Sequence, residues 1–238
     1  MTKENIINYW DKRSESFSKD KVAELESNHA MKWLEEINQI KKVGPGIKVL
    51  DIGTGAGFLA ILCAQQHADV HGIDLSPDMI QAAQANAQQF DQTVNFKVMD
   101  AEQLQFDDNY FDIVIARNVT WLLPNTKTAY SEWLRVLKEG GTLINIDADY
   151  GNTSFESYDD IPTDHAHHNL GHHMLHESEQ IKNTISINSQ RRPQYDINIL
   201  KQLGIVNVHL DQSVYKRIYQ EQDQFYNPTP IFLISITK

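Results

Sequence analysis

Short apolar runs alternate along most of this chain with stretches whose apolar positions recur at helical spacing. Ile6, Ile7, Tyr9 and Trp10, then Phe17, then Val22, Leu25, Ala30, Trp33, Leu34 and Ile37 predict a helical segment over 1–42, closed by Gly44-Pro45-Gly46. Residues 47–52 follow as a short apolar run ending in a glycine-rich turn, and 58–66 reads as a helix. The alternation repeats, with strands expected over 69–75, 94–99, 113–116 and 142–147 and helices over 77–90 and 126–137. Lys138-Glu139-Gly140-Gly141 is a cationic, glycine-rich helix stop. Residues 113–116 are apolar at every position, as suits a strand covered on both faces. Five β/α alternations predict an α/β fold on a mainly parallel, doubly wound sheet.

Periodicity fails over 149–193, a polar stretch rich in histidine and asparagine, which reads as an insertion or lid. It resumes with a helix over 197–203 stopped by Gly204, a strand over 206–210, and a last strand over 231–236 set off by Pro228 and Pro230. The expected organisation is a helical cap over 1–42, an α/β core over 43–148 plus 194–238, and a lid over 149–193.

Composition narrows the class. At 238 residues, 41% hydrophobic and 22% charged, the chain suits one globular domain, or one with a small cap, and not a disordered or coiled-coil protein. A net charge of −11 repels a phosphate backbone, so nucleic acid is not an expected partner. The one cysteine, Cys63, sits in the apolar helix after the glycine turn and is expected to be buried and inert. The first ten residues hold no apolar core of a signal peptide and no stretch is long enough to span a bilayer, so the expected location is cytoplasmic, without a membrane partner.

The chemistry gathers at strand ends. Gly53, Gly55 and Gly57 alternate between a buried strand and a helix, where bare backbone lets a ligand approach closely. A generic tight turn would look the same, and Phe58 breaks the dinucleotide-binding glycine pattern. Asp51, Asp74 and Asp100 end three successive strands, and in an open α/β sheet such ends face one crevice. Asp74 is placed to accept from ribose hydroxyls and Asp100, with Ala101 and Glu102, from an adenine amino group; taken singly, each acid could equally be a helix cap or turn residue.

These residues, from Lys48 to Asp147, resemble the class I S-adenosylmethionine-dependent methyltransferases of the small-molecule kind. The resemblance implies a seven-stranded sheet with an antiparallel last pair, S-adenosylmethionine as cofactor, and a small-molecule methyl acceptor, in a monomer or homodimer. It places Gly53, Thr54, Gly55 and Gly57 beneath the methionine moiety and Asp51 at its amino group. Asp74, with Leu75 and Met79, goes to the ribose, and Asp100, Ala101 and Glu102 to the adenine. Arg117 and Asn118 fall at the sulfonium end. The chemistry agrees: the cofactor carries a sulfonium and an ammonium and no pyrophosphate, so an acidic crevice suits it.

Several features stay open. Tyr9, Trp10 and Arg13 could close over the cofactor, Arg13 on its carboxylate, or Trp10 and Phe17 could simply pack on the sheet. Six histidines fall between 165 and 176. His165, His168, His172 and His176 would share a face if helical, though Gly171 weakens that idea. The cluster reads as a solvated lid, as a substrate contact or general base (His168, His172), or as a metal site (His168, His172, His176), with no metal assigned. Arg191 and Arg192 could grip an anionic substrate or be surface arginines. Trp121 could wall the acceptor or fill the core. The competing functions are a nicotinamide-dependent oxidoreductase and a non-catalytic metal-binding or regulatory protein.

Overall fold

The computed structural model describes residues 3–157, 161–163, 165, 168 and 170–238. Two helices precede the sheet, α1 (Lys3–Leu25) and α2 (Asn28–Ile40), separated where the Ser27 hydroxyl accepts from the His29 N–H at 3.1 Å and caps α2. α2 buries Ala30, Trp33, Leu34 and Ile37, an i, i+3, i+4, i+7 stripe, each larger side chain contributing roughly 1.5–3 kcal/mol. The core then runs β1 (Lys48–Ile52), α3 (Phe58–Ala64), β2 (Asp69–Asp74), α4 (Pro77–Gln89), β3 (Asn95–Val98), β4 (Phe111–Arg117), α5 (Thr126–Val136) and β5 (Leu137–Ala148). After it come α6 (His172–Thr184), α7 (Gln194–Gln202), β6 (His209–Asp211), α8 (Val214–Ile218) and β7 (Ile231–Thr237).

The seven strands lie in the order β3-β2-β1-β4-β5-β7-β6. β1 to β5 are parallel neighbours, and β7 runs antiparallel between β5 and β6. This is the doubly wound, mainly parallel sheet that the β/α alternation predicts. Residues alternate between two apolar layers: Val49, Ile113, Ile115 and Ile144 enter one, Leu50, Val114, Ala116 and Leu143 the other. Strand order reverses between β1 and β4, and at such a switch point the loops part and leave a crevice beyond the strands' carboxyl ends.

Four local differences from the sequence reading have physical causes. β5 begins at Leu137, not at residue 142: Leu137 pairs with Phe111, and Gly140, at φ 72°, lets the strand turn through what reads as a helix stop. β6 is shorter and later than expected because only His209–Asp211 pair with β7, leaving Val206 84% exposed. α8, of five residues, is too short to show a period. α6 lies inside the segment that lacks periodicity; its buried Leu175, Ser178, Ile181 and Lys182 share one helical face, but two of the four are polar.

Candidate active site

Over the carboxyl ends of β1, β2 and β4 lies a cavity of about 350 Å³, roofed by α1. Fourteen of the sixteen residues that the sequence singles out for a cofactor line it. The exceptions are Gly57, whose φ of 89° starts α3 against Ala83 and Phe96, and Glu102, whose carboxylate accepts from the Asn125 N–H at 2.6 Å.

The turn after β1 is left-handed at Gly53 (φ 61°) and Gly55 (φ 52°). A Cβ at Gly53 would stand 2.5 Å from Val119 Cγ2, and one at Gly55 2.9 Å from Phe17 Cε1, so these positions need glycine for space as well as for conformation. The three strand-end acids also serve the turns beside them. Asp51 Oδ2 accepts from the Thr54 hydroxyl (2.6 Å) and the Ala60 N–H (3.1 Å). Asp74 accepts from the N–H groups of Gly55 and Ser76, both at 2.9 Å. Asp100 accepts from the Glu102 N–H at 2.9 Å, while Lys3 at the start of α1 bridges Asp100 and Glu102 at 2.6 Å each. Capping and lining therefore coexist in the same carboxylates. Burial pushes Asp51 up to about 7, against the pull of Thr54, and raises Asp74 as well.

On the far side of the glycine turn, Arg117 at the end of β4 forks onto Glu24 of α1 (2.7 and 3.2 Å), and Lys21 reaches the same carboxylate at 2.5 Å. The Arg117 guanidinium also lies over the rings of Phe58 (4.3 Å) and Trp33 (4.8 Å). Burial would push Glu24 up, but Arg117 and Lys21 outweigh it and hold the carboxyl far below its usual range. Beyond this cluster the wall is aromatic. Trp121, Tyr150 and Phe155 meet edge to face at 5.4–5.5 Å, and Tyr219 and Tyr226 meet at 6.0 Å. Trp121 thus lines the cavity. Glu24, Lys21, Tyr150, Tyr219 and Tyr226 escape sequence reading, because no local pattern distinguishes them from helix or loop residues.

The described histidines do not share one helix face. α6 begins at His172 with Gly171 as its cap, so His165 and His168 do not share a helix face with His172 and His176. Of the cluster, His165 lines the cavity, its Nε2 2.8 Å from the Tyr226 carbonyl; His168, His172 and His176 do not, and His167 lies outside the described residues. His176 is exposed and pairs with Glu156 at 2.6 Å. Among the described residues no group of three or more histidine, cysteine or acidic side chains could hold a metal. The arginine pair is also separated from the cavity. Arg191 is exposed, whereas Arg192 is fully buried, donating to Asp196 from two nitrogens at 2.9 Å and lying 3.3 Å from Asp147. Its charge is consumed inside the fold and does not face an anionic substrate. Cys63 is buried, and burial pushes its thiol up, as expected of an inert cysteine.

Trp10 and Arg13 line the cavity, and each carries a buried donor, Nε1 and Nε, with no hydrogen-bond partner among the described residues. Unpaired donors beside bare glycine backbone and strand-end carboxylates form a cradle for a ligand with both acceptor and cationic groups. S-adenosylmethionine, with its carboxylate, ammonium and sulfonium, meets those requirements.

Comparison with known proteins agrees. A family model described as a methyltransferase domain matches residues 44–225. Phosphoethanolamine N-methyltransferase 2 of Caenorhabditis elegans is 36% identical over 115 residues, 46% of this chain and 26% of that protein. A SAM-dependent methyltransferase from Aquifex aeolicus superposes with a TM-score of 0.58 at 18% identity, covering 91% of this chain and 96% of that one. The Haemonchus contortus phosphoethanolamine N-methyltransferase 2, solved with S-adenosyl-L-methionine, has a TM-score of 0.58 at 18% identity over 85% of this chain and 51% of that one. The matched stretch spans less than half the length of each of the curated relatives. The chain belongs to the methyltransferase-domain family, within the class I S-adenosylmethionine-dependent methyltransferases. S-adenosylmethionine is that family's cofactor.

Proposed function

We propose that this protein transfers a methyl group from S-adenosylmethionine to a small-molecule acceptor by in-line displacement. One observation carries the reading: strand-end acids, a glycine turn without room for side chains, and unpaired donors on α1 share one cavity that continues into an aromatic compartment. The bound cofactor supplies an activated methyl carbon on a sulfonium; the neutral thioether S-adenosylhomocysteine is the leaving group, and an acceptor that arrives protonated gives its proton to solvent.

Within this reading, Asp74 accepts from the ribose hydroxyls, Asp51 faces the ammonium, and Asp100 with the Ala101 backbone frames the adenine. The Arg13 guanidinium meets the carboxylate and Trp10 flanks it. Asn118, held at φ 58° with its carbonyl accepting from the Trp121 indole at 3.0 Å, stands between cofactor and acceptor. The chain's part in catalysis is to hold two reactants in line and keep water out, since the methyl carbon needs no further activation. α1 as cap, the sheet as cofactor core and the 149–193 segment as lid belong to the same proposal.

The small-molecule acceptor is supported by the size of the cavity, about 350 Å³, and by the net charge of −11. A nicotinamide-dependent oxidoreductase is not favoured: the turn lacks the glycine spacing that seats a pyrophosphate. The deciding experiment is titration calorimetry with S-adenosylhomocysteine and with NADH. Binding of the first and not the second is expected; the reverse result refutes the proposal.

A further inference from the structure

Among the described residues, four cationic side chains line the cavity: Lys3, Arg13, Lys21 and Arg117. Three of them are committed to acids, Lys3 to Asp100 and Glu102, and Lys21 and Arg117 to the single carboxylate of Glu24. Arg13 retains one unpaired donor, Nε, and the cofactor carboxylate calls for it. Five acidic side chains line the same space, Asp20, Glu24, Asp51, Asp74 and Asp100, so the formal balance of the wall is one negative charge.

We propose that the methyl acceptor is an uncharged, ring-bearing small molecule, because the cavity keeps no cation for an anionic one and walls its acceptor side with aromatic rings. The inference rests on the methyltransferase reading and deepens it. A phosphate or carboxylate entering this compartment would lose hydration and gain no unpaired cation, so it would bind more weakly than a neutral counterpart. A neutral ring meets the edge-to-face wall of Trp121, Tyr150 and Phe155. A hydroxyl on that ring finds polar partners there: the Tyr150 hydroxyl, itself held by Asn118 and Asn227 at 3.2 Å each, and the Ser178 side chain. Glu24 becomes a specificity-determining residue, which keeps Arg117 and Lys21 from attracting anions.

The test compares two probes that share one ring system, neutral 2-naphthol and anionic 2-naphthyl phosphate, titrated by calorimetry into the protein saturated with S-adenosylhomocysteine. 2-Naphthol is expected to bind at least about tenfold more tightly than its phosphate ester. Equal affinities, a preference for the ester, or no binding of 2-naphthol would overturn the inference. Glu24→Gln, which leaves Arg117 and Lys21 without their counter-charge, is expected to strengthen ester binding by about tenfold while moving 2-naphthol less than about threefold. An unchanged ester affinity in folded E24Q removes Glu24 as the cause; if E24Q does not fold, the wild-type comparison decides. Failure of the wild-type protein to bind S-adenosylhomocysteine appears at the first step and refutes the cofactor reading itself.

Discussion

Asp74 uses one carboxylate for two purposes. Its oxygens hold the Gly55 and Ser76 amides, fixing the glycine turn and the entry to α4, and the same group lines the cavity where the ribose is proposed. Asp74→Ala is expected to weaken S-adenosylhomocysteine binding by about 1.5–3 kcal/mol through loss of charge-assisted hydrogen bonds, and calorimetry showing parental affinity would remove it from the site. Asp51 gives a pH signature. The folded protein keeps its proton to about pH 7, whereas the unfolded chain releases it near 3.8. Asp51 therefore favours folding at low pH, and that contribution is lost as pH rises through this window. Binding an ammonium runs the other way, since it favours the ionised carboxylate. S-adenosylhomocysteine affinity is expected to rise with pH, by at most about tenfold per unit, and to level off above 7, with a proton released on binding. Asp51→Asn should flatten the profile; a profile unchanged by that substitution would exclude Asp51 as its source. Arg192 belongs to stability. Arg192→Ala leaves Asp147 and Asp196 buried without their cation, and a loss of about 3–5 kcal/mol is expected from urea unfolding.

At the scale of elements, α1 decides how closed the site is. Along its length Lys3 pairs with Asp100 and Glu102, Lys12 with Glu177 of α6, and Lys21 with Glu24 and thereby with Arg117. Asp11 accepts from the Ser76 hydroxyl at 2.5 Å and sits at the N-terminus of α4, where a negative charge is favoured. The Lys3 and Lys12 contacts are polar and partly exposed, so α1 is expected to loosen before the sheet opens. Asp11→Ala is expected to speed amide exchange throughout α1 and to raise the cofactor dissociation rate severalfold, while exchange in β1 and β4 stays slow. Equal exchange in α1 of variant and parent would show that Asp11 is not a latch. α6 packs on the same helix: Ile181 meets Ile6 and Tyr9 of α1, while His172, His173 and His176 are exposed.

Across the whole molecule, the cavity draws its wall from both ends of the chain, from α1 to the loop before β7. Ligand binding and global folding should therefore be coupled. At a hundredfold excess over Kd, S-adenosylhomocysteine is expected to stabilise the protein by about 2.7 kcal/mol in urea unfolding, through one transition seen alike by tryptophan fluorescence and far-ultraviolet circular dichroism. Separate transitions for the two probes would show that the cap unfolds independently of the sheet.

The sheet and the strand-end acids that line the cavity were legible in the sequence because both depend on local signals. Apolar period sets strand or helix, and in a parallel sheet each strand's carboxyl end falls on one edge, so Asp51, Asp74 and Asp100 converge as soon as the topology is known. Of the remaining wall Trp121 was legible and the later tyrosines and Glu24 were not. Glu24, Tyr150 and the pair Tyr219 and Tyr226 are far apart along the chain and carry no period. Only packing shows that Arg192 is spent inside the core and that His165, not His168 or His172, reaches the cavity. A side chain's availability to a ligand depends on which distant groups have already claimed its charge and hydrogen bonds, and those partners are set by tertiary structure alone.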